Sequence, residues 1–288
     1  MRVLVTGGGG QVGRVLAATA PAGYEVQVKS HAELDIGDAG AVGTALGADG
    51  ARWIINAAAY TAVDRAQSEP DRARAINDTA VGVLAGAARA AGARLLQLST
   101  DFVFDGRANQ PYRPEDPPNP LSVYGRTKLG GEHQAETGGC RAIVLRTAWV
   151  YAAEGQNFVL TMLRLMRERE SVRVVADQIG APTWARGLAA AIWDLLARDA
   201  PAGIQHWTDL GVASWYDFAV AIQDEALARG LLARRVPIEP ISTPEYPTPA
   251  RRPAFSVLDT RATRALVATP ARHWRHSLQG MFDELRPA

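Results

Sequence analysis

A short apolar strand that runs without a break into four consecutive glycines constrains this chain more than any other feature. Arg2-Val3-Leu4-Val5-Thr6 reads as a buried strand, Gly7-Gly8-Gly9-Gly10-Gln11-Val12-Gly13 as a loop, and Val12-Gly13-Arg14-Val15-Leu16-Ala17-Ala18 as the start of an apolar helix. Glycines at 7, 10 and 13 let the chain turn tightly, bring backbone N–H groups against a pyrophosphate and let the helix pack close to the strand. Four glycines also serve as a plain flexible turn. That alternative gives no reason for an apolar strand on one side and an apolar helix on the other. The sequence therefore predicts a dinucleotide-binding start, with Gly7, Gly10, Gln11, Val12 and Gly13 at the phosphates.

Farther along, short apolar runs at 24–28, 52–56, 93–98 and 142–146 read as strands and alternate with Ala-rich helical stretches. Helices are expected at 38–46, 71–91 and 120–136, the last with Asn119 as N-cap and Pro120 at the first helical position. Such alternation implies a parallel sheet with helices on both faces. After residue 150 the texture changes to an amphipathic helix at 157–169, a helical stretch at 184–198 and a proline-rich segment at 237–253. The expected fold is α/β: a Rossmann-type doubly wound parallel sheet in residues 1–150 and a smaller α/β C-terminal substrate domain in 151–288. Parts of 170–200 are expected to return to the first domain, with 172–175 able to add a sixth strand and 184–198 to pack on it.

Composition narrows the function classes. A chain of 288 residues that is 47% hydrophobic can bury a sizeable core. Its formal net charge is +1, with both signs interspersed, so neither nucleic acid nor an anionic membrane is expected as partner. The single cysteine, Cys140, cannot close an intrachain disulfide. With no long apolar run, the chain is expected in the cytoplasm. The five histidines are scattered, and no metal site is expected.

The second chemical signature is Tyr124-Gly125-Arg126-Thr127-Lys128, about twenty positions after Ser99-Thr100-Asp101. On a helix, Tyr124 and Lys128 share a face. A nearby ammonium favours the phenolate, so Lys128 is expected to pull Tyr124 below its ordinary pKa and make it a general acid. Taken alone, Tyr-x-x-x-Lys is short enough to occur by chance, and a packed tyrosine with a solvated lysine is the favoured reading.

An ordered set of motifs removes that ambiguity. Gly10-Gln11-Val12-Gly13, Glu33-Leu34-Asp35-Ile36, Asn56-Ala57-Ala58-Ala59-Tyr60-Thr61-Ala62-Val63-Asp64 and Ser99 to Gly106 come first. Tyr124 to Lys128, Arg146-Thr147-Ala148-Trp149, Asn157-Phe158, Asp177 to Thr183 and Tyr246 to Pro253 follow. Nearly end to end, the chain resembles the extended short-chain dehydrogenase/reductases, and within them the dTDP-4-dehydrorhamnose reductases.

The resemblance implies reduction of the C4 ketone of a dTDP-linked 4-keto-6-deoxyhexose, dTDP-4-dehydro-L-rhamnose, by a reduced nicotinamide cofactor. It places Tyr124 as proton donor, Thr100 as second hydroxyl, and Lys128 on the nicotinamide ribose. It places Asp35 and Ile36 at the adenine, Ala58, Ala59 and Tyr60 along the dinucleotide, and Thr100, Asp101 and Trp149 at the sugar. Asp35 is also a good helix-capping carboxylate, and Trp149 is also a good core residue. Arg251 and Arg252 suit a diphosphate, but an arginine pair beside prolines is more often ordinary surface, and they are left out of the expected site.

NADPH is expected over NADH, with NADH possible, because the end of the second strand reads Lys29-Ser30-His31 where a carboxylate for the ribose 2′-OH would stand. Some relatives dimerise through magnesium, but here the corresponding stretches read Arg14-Val15-Leu16 and Trp184-Ala185-Arg186-Gly187. A monomer or weak homodimer without a bridging metal is expected. Two other classes share the fold: a regulatory subunit of methionine adenosyltransferase, which binds without catalysing, and sugar-nucleotide epimerases or dehydratases. The intact Thr100, Tyr124 and Lys128 set argues against the first. Asp101-Phe102, where a 4,6-dehydratase would carry an Asp-Glu pair, argues against the last.

Overall fold

The computed structural model describes residues 1–285, and at 48 and 49 the backbone alone. Its frame is a six-stranded, all-parallel sheet built from β1 (Arg2–Thr6), β2 (Glu25–Lys29), β3 (Trp53–Asn56), β4 (Arg94–Thr100), β5 (Ala142–Thr147) and a later strand, Gly203–His206. The strand order is 2-1-3-4-5 with Gly203–His206 outermost beside β5. The winding direction reverses between β1 and β3. In such doubly wound sheets the crevice beyond the carboxyl ends of the strands at that reversal is where ligands bind.

Alternate residues of each strand face opposite layers. Val3, Val5, Ile55, Leu96, Ile143 and Leu145 pack with Leu16 of α1 (Gln11–Ala18) on one side. Leu4, Ile54, Leu95 and Val144 pack on the other, against Val42 and Leu46 of α2 (Ala39–Asp49) and Val81 and Leu84 of α3 (Ala80–Ala90). With both faces covered, the strands carry near-continuous apolar runs. Each fully buried Val, Leu or Ile contributes about 1.5–3 kcal/mol of burial.

The helix expected at 71–91 is three pieces: Pro70–Arg74, a π-helical turn Ala75–Thr79, and α3. The one expected at 120–136 is α4 (Val123–Thr137), which starts three residues late. Ser122 Oγ, not Asn119, caps it by accepting from Gly125 N at 3.1 Å. Asn119 is held in the preceding loop, donating from its backbone to Val103 O and from Nδ2 to Asp105 Oδ2.

Past β5 come α5 (Phe158–Glu168), β6 (Val172–Val175), α6 (Ala185–Ala197), β7 (Gly203–His206), α7 (Trp215–Ala228), β8 (Ile238–Ile241) and α8 (Trp274–Glu284). The sixth strand of the sheet is thus β7, not residues 172–175. β6 pairs in parallel with β8 in a separate two-stranded sheet. Its exposed Arg173, ion-paired with Glu239 and Glu245, suits such a ribbon, whereas a strand beside β5 would be covered on both faces. Leu188, Ile192 and Leu195 of α6 join the core layer that covers β1, β3, β4 and β5. A separate core of Val159, Met162, Phe218, Ile222, Leu278 and Phe282 unites α5, α7 and α8.

Candidate active site

The glycine loop sits at the reversal point. Gly7 has φ 75°, and a Cβ there would lie 2.4 Å from Ala58 N, so only glycine lets β1 end against the loop after β3. At Gly13 a Cβ would meet Gly7 O at 2.3 Å, which is how close α1 passes to the loop. Gly10 caps α1 with extended backbone and no side-chain hydrogen bond. The N–H groups of Gln11, Val12 and Gly13, which have no partner within a helix, therefore suit an anion. Gln11 is the exception at its side chain, accepting from Asn157 Nδ2 at 2.9 Å and donating to Gln156 O. This cradle fits the pyrophosphate of a dinucleotide.

A buried row of amides crosses the strand ends. Thr6 Oγ1 donates to Asn56 Oδ1 at 2.6 Å, Asn56 Nδ2 to Gln97 Oε1 at 2.7 Å, and Ala58 N to Asn56 Oδ1 at 3.1 Å. Ala58, Ala59 and Tyr60 leave β3 from this row. Tyr60 is held on both backbone groups by Asn77, which accepts from its N–H at 2.8 Å and donates to its carbonyl at 3.0 Å. Asn77 Nδ2 also reaches Thr127 Oγ1 at 3.1 Å. Asn77 belongs to the π-helical turn, a distortion that often marks functional sites. Sequence reasoning missed it, because a lone asparagine inside a helical stretch gives no signal of its own.

Tyr124 and Lys128 lie on α4, and Thr100 ends β4, where its hydroxyl caps the turn that follows. Thr100 Oγ1 donates to Asp101 Oδ1 at 3.0 Å and accepts from Phe102 N at 3.2 Å, and its hydroxyl lies beside the Tyr124 phenol. The structure brings Thr100, Asp101 and Tyr124 together. Lys128, 4% exposed, points its ammonium at Leu98 O, 2.6 Å away.

This arrangement reverses one expectation. Burial pushes Tyr124 up to about 12, with the nearby Thr100 hydroxyl opposing and the charge of Asp101 adding to the rise. Lys128 does not pull the phenol down, because its charge is turned toward Leu98 and Glu132. Burial instead lowers Lys128 itself to about 8, with Glu132 opposing. Asp101 is raised to about 6 by burial, with the nearby Ser256 and Thr100 hydroxyls opposing the rise.

Trp149 has a left-handed backbone, φ 48°, uncommon for a side chain of this bulk. Its ring stacks on Trp215 at 3.5 Å between centroids and 6° between planes. Gly180 lies beneath it, where a Cβ would come within 2.5 Å of the indole. Backbone strain of this kind tends to collect at functional sites. Next to this stack is a cavity of about 350 Å³, lined among others by Phe158, Gln178, Trp215, Tyr246 and Arg252. Arg252 is no ordinary surface residue: it grips Asp64 with both guanidinium nitrogens.

At the other end of the cleft, Ser30 donates from both backbone and hydroxyl to Glu33 Oε2, at 2.8 and 2.6 Å. Asp35 accepts from Gly37 N at 2.9 Å and is exposed, while Asp38 is the residue that caps α2. Ile36 is buried under the loop with Leu34. Arg14 pairs with Glu154, and Arg186 with Glu284. Among the described residues, no three His, Cys, Asp or Glu side chains are grouped so as to hold a metal ion. No helix of the described residues is long and apolar enough to cross a membrane.

Comparison with known proteins agrees with this geometry. The sequence model of the RmlD substrate binding domain matches residues 1–286. A dTDP-4-dehydrorhamnose reductase of Burkholderia thailandensis is 42% identical, over 96% of this chain and 97% of that protein. A spore coat polysaccharide biosynthesis protein of Bacillus subtilis is 39% identical, over 98% and 97%. The crystal structure of a Bacillus anthracis dTDP-4-dehydrorhamnose reductase in complex with NADP is 34% identical and superposes with a TM-score of 0.93, covering 98% of this chain and 99% of that one. A strand–glycine loop–helix at the reversal of a parallel sheet, hydroxyls converging at the end of β4, and identity sustained over almost the whole length lead to one conclusion: the chain belongs to the RmlD substrate binding domain family.

Proposed function

We propose that the chain is an oxidoreductase of nucleotide-sugar biosynthesis that reduces the C4 ketone of dTDP-4-dehydro-L-rhamnose to dTDP-L-rhamnose with NADPH. The observation that carries this is the placing of the buried Tyr124 phenol beside Thr100 and Asp101 at the carboxyl end of β4, in a chain whose relatives of about 40% identity bear the name of that reaction.

When bound, the reduced nicotinamide supplies the hydride. The loop Gly7 to Gly13 holds the pyrophosphate with backbone N–H groups, and Lys128 bonds the nicotinamide ribose. Ala58, Ala59 and Tyr60 line the dinucleotide, Ser30 takes the 2′-phosphate, and Asp35 and Ile36 flank the adenine. As negative charge develops on the ketone oxygen, Thr100 and Tyr124 donate to it and Tyr124 delivers the proton. A phenol whose burial keeps it protonated is in the form that a donor requires. Asp101 orients Thr100 and meets the sugar, Trp149 covers the pyranose, and the cavity beyond Trp215 receives the nucleotide.

On this reading, residues 1–150 with parts of 170–200 bind the cofactor and 151–288 mainly the substrate. The enzyme acts in the cytoplasm as a monomer or weak homodimer. Arg14 and Arg186, each paired with a glutamate of the same chain, are cations and cannot serve as metal ligands at those positions.

The test is NADPH consumption by the purified protein given the ketone made in situ by the upstream dehydratase and 3,5-epimerase, each omitted in turn. Formation of dTDP-L-rhamnose that requires both upstream enzymes is expected. NADPH binding without consumption would overturn the reductase reading and favour a regulatory subunit.

A further inference from the structure

A buried polar cluster behind the catalytic helix is not used by the reaction just described. Glu132 lies one turn beyond Lys128 and two beyond Tyr124 on the same face of α4. Its carboxylate is 1% exposed and takes both arms of Arg146, Nε to Oε1 at 2.9 Å and Nη2 to Oε2 at 2.6 Å. The Ser99 hydroxyl donates to it as well. Ser99 faces Arg146 in the β4–β5 register, and Thr100 faces Thr147 one step on, so the cluster is fixed one residue behind the catalytic hydroxyl.

Stability alone is a weak reason for such a pair. A buried ion pair is typically no better for stability than well-packed apolar residues of similar volume. Lys128, by contrast, has a specific need. Its ammonium is buried with Leu98 O as its hydrogen-bond acceptor, and a single carbonyl does not replace the lost hydration of a charge.

We propose that Glu132 is a positioning residue: its carboxylate, fixed by Arg146 and Ser99, keeps the buried Lys128 ammonium charged for its work beside Tyr124. The proposal rests on the reading of Lys128 given above. Other groups around Lys128 do not take this role. Tyr124, on the same helix, and His206, on β7 beside Arg146, are both uncharged at neutral pH, His206 being pushed down to about 3 by burial and by Arg146. Asp101 bonds Thr100, Asp78 of the π-helical turn accepts from Gln134, and Arg146 has the wrong sign. Burial already brings Lys128 down to about 8, and Glu132 is the charge that opposes the fall.

The composition makes a direct test possible, because the chain has two lysines, Lys29 and Lys128. Incorporation of [ε-¹³C]lysine gives two titrating signals, and Lys29→Arg assigns them. In Glu132→Gln the Lys128 midpoint is expected to fall by about one pH unit or more. The alkaline limb of kcat/KM for NADPH, which reports the free enzyme, is expected to move down with it. Glu132→Gln leaves Arg146 uncompensated and is at risk of misfolding, so the neutral pair Glu132→Gln/Arg146→Met is measured alongside and is expected to show the same direction of shift. An unmoved Lys128 midpoint in either folded variant, or a moved midpoint with an unmoved limb, overturns the proposal. Lys128→Met separates the two readings: if it keeps the wild-type limb and turnover, the role of Lys128 itself is what fails.

Discussion

Arg252 closes on Asp64 across 188 residues of sequence, Nη2 to Oδ2 at 2.8 Å and Nη1 to Oδ1 at 3.1 Å. Asp64 also accepts from Ala250 N, and Arg252 donates to Thr248 Oγ1 and Ala250 O. The fork holds the segment 246–253, which walls the cavity beside Trp215, onto the loop after β3. With its charge matched by Asp64, Arg252 shapes the wall of that cavity.

Asp64→Ala should therefore loosen this wall. The expected result is a KM for the sugar nucleotide raised about tenfold, equivalent to about 1.4 kcal/mol, with kcat little changed and faster tryptic cleavage after Arg251. Tighter sugar-nucleotide binding in that variant would mean that Asp64 had been masking Arg252 from the diphosphate.

Tyr124→Phe removes the proposed proton donor and should lower kcat by roughly 10² to 10⁴, leaving NADPH affinity, measured by fluorescence titration, nearly unchanged. Because Tyr124 is pushed up to about 12, it should contribute no limb to the pH profile of the wild type below about pH 11. Unaltered turnover in the variant would remove Tyr124 from the mechanism.

Glu33 holds the hydroxyl of Ser30, the residue proposed above for the 2′-phosphate, and those bonds keep its carboxyl below the usual range. Glu33→Gln removes a negative charge from that spot. The ratio of kcat/KM for NADPH over NADH should rise several-fold in favour of the phosphorylated cofactor. A ratio that falls would show Glu33 to be outside the ribose site.

Asp209 accepts from Trp184 N and Ser277, yet burial raises it to about 7. Between the unfolded carboxylate value near 4 and about 7, the folded state binds the extra proton, so this group's contribution to stability falls as pH rises through that window. Asp209→Asn cannot ionise. Its drop in Tm from pH 5 to pH 8 should be smaller than that of the wild type, a difference on the order of 2–4 kcal/mol in stability. An identical drop in both proteins would assign the alkaline sensitivity elsewhere.

What the sequence made legible follows from the range of the forces involved. The strand, glycine loop and helix at residues 2–18 are dictated by local spacing, and so is the shared face of Tyr124 and Lys128. Spacing says nothing of what those side chains meet: Lys128 turns to Leu98 O and Glu132, so the expected pull on the phenol is absent. Asn119 and Ser122 are both good caps, and tertiary hydrogen bonds to Val103 and Asp105 decided between them. Residues 172–175 look more strand-like than Gly203-Ile204-Gln205-His206, but the edge of β5 is filled by the segment that α6 carries back across the sheet. Asn77 and the Asp64–Arg252 fork join distant segments, a relation that no local pattern records.

The late arrival of β7 has a consequence for synthesis on the ribosome. Until residue 206 has emerged, β5 presents an unpaired edge of six buried-type residues, Ala142 to Thr147, while the chain continues through α5, β6 and α6. A nascent chain in this interval carries a ready template for pairing with a neighbour. Closure of the six-stranded sheet thus waits for a strand made after α5 and β6 of the second core, which couples the folding of the two layers in time.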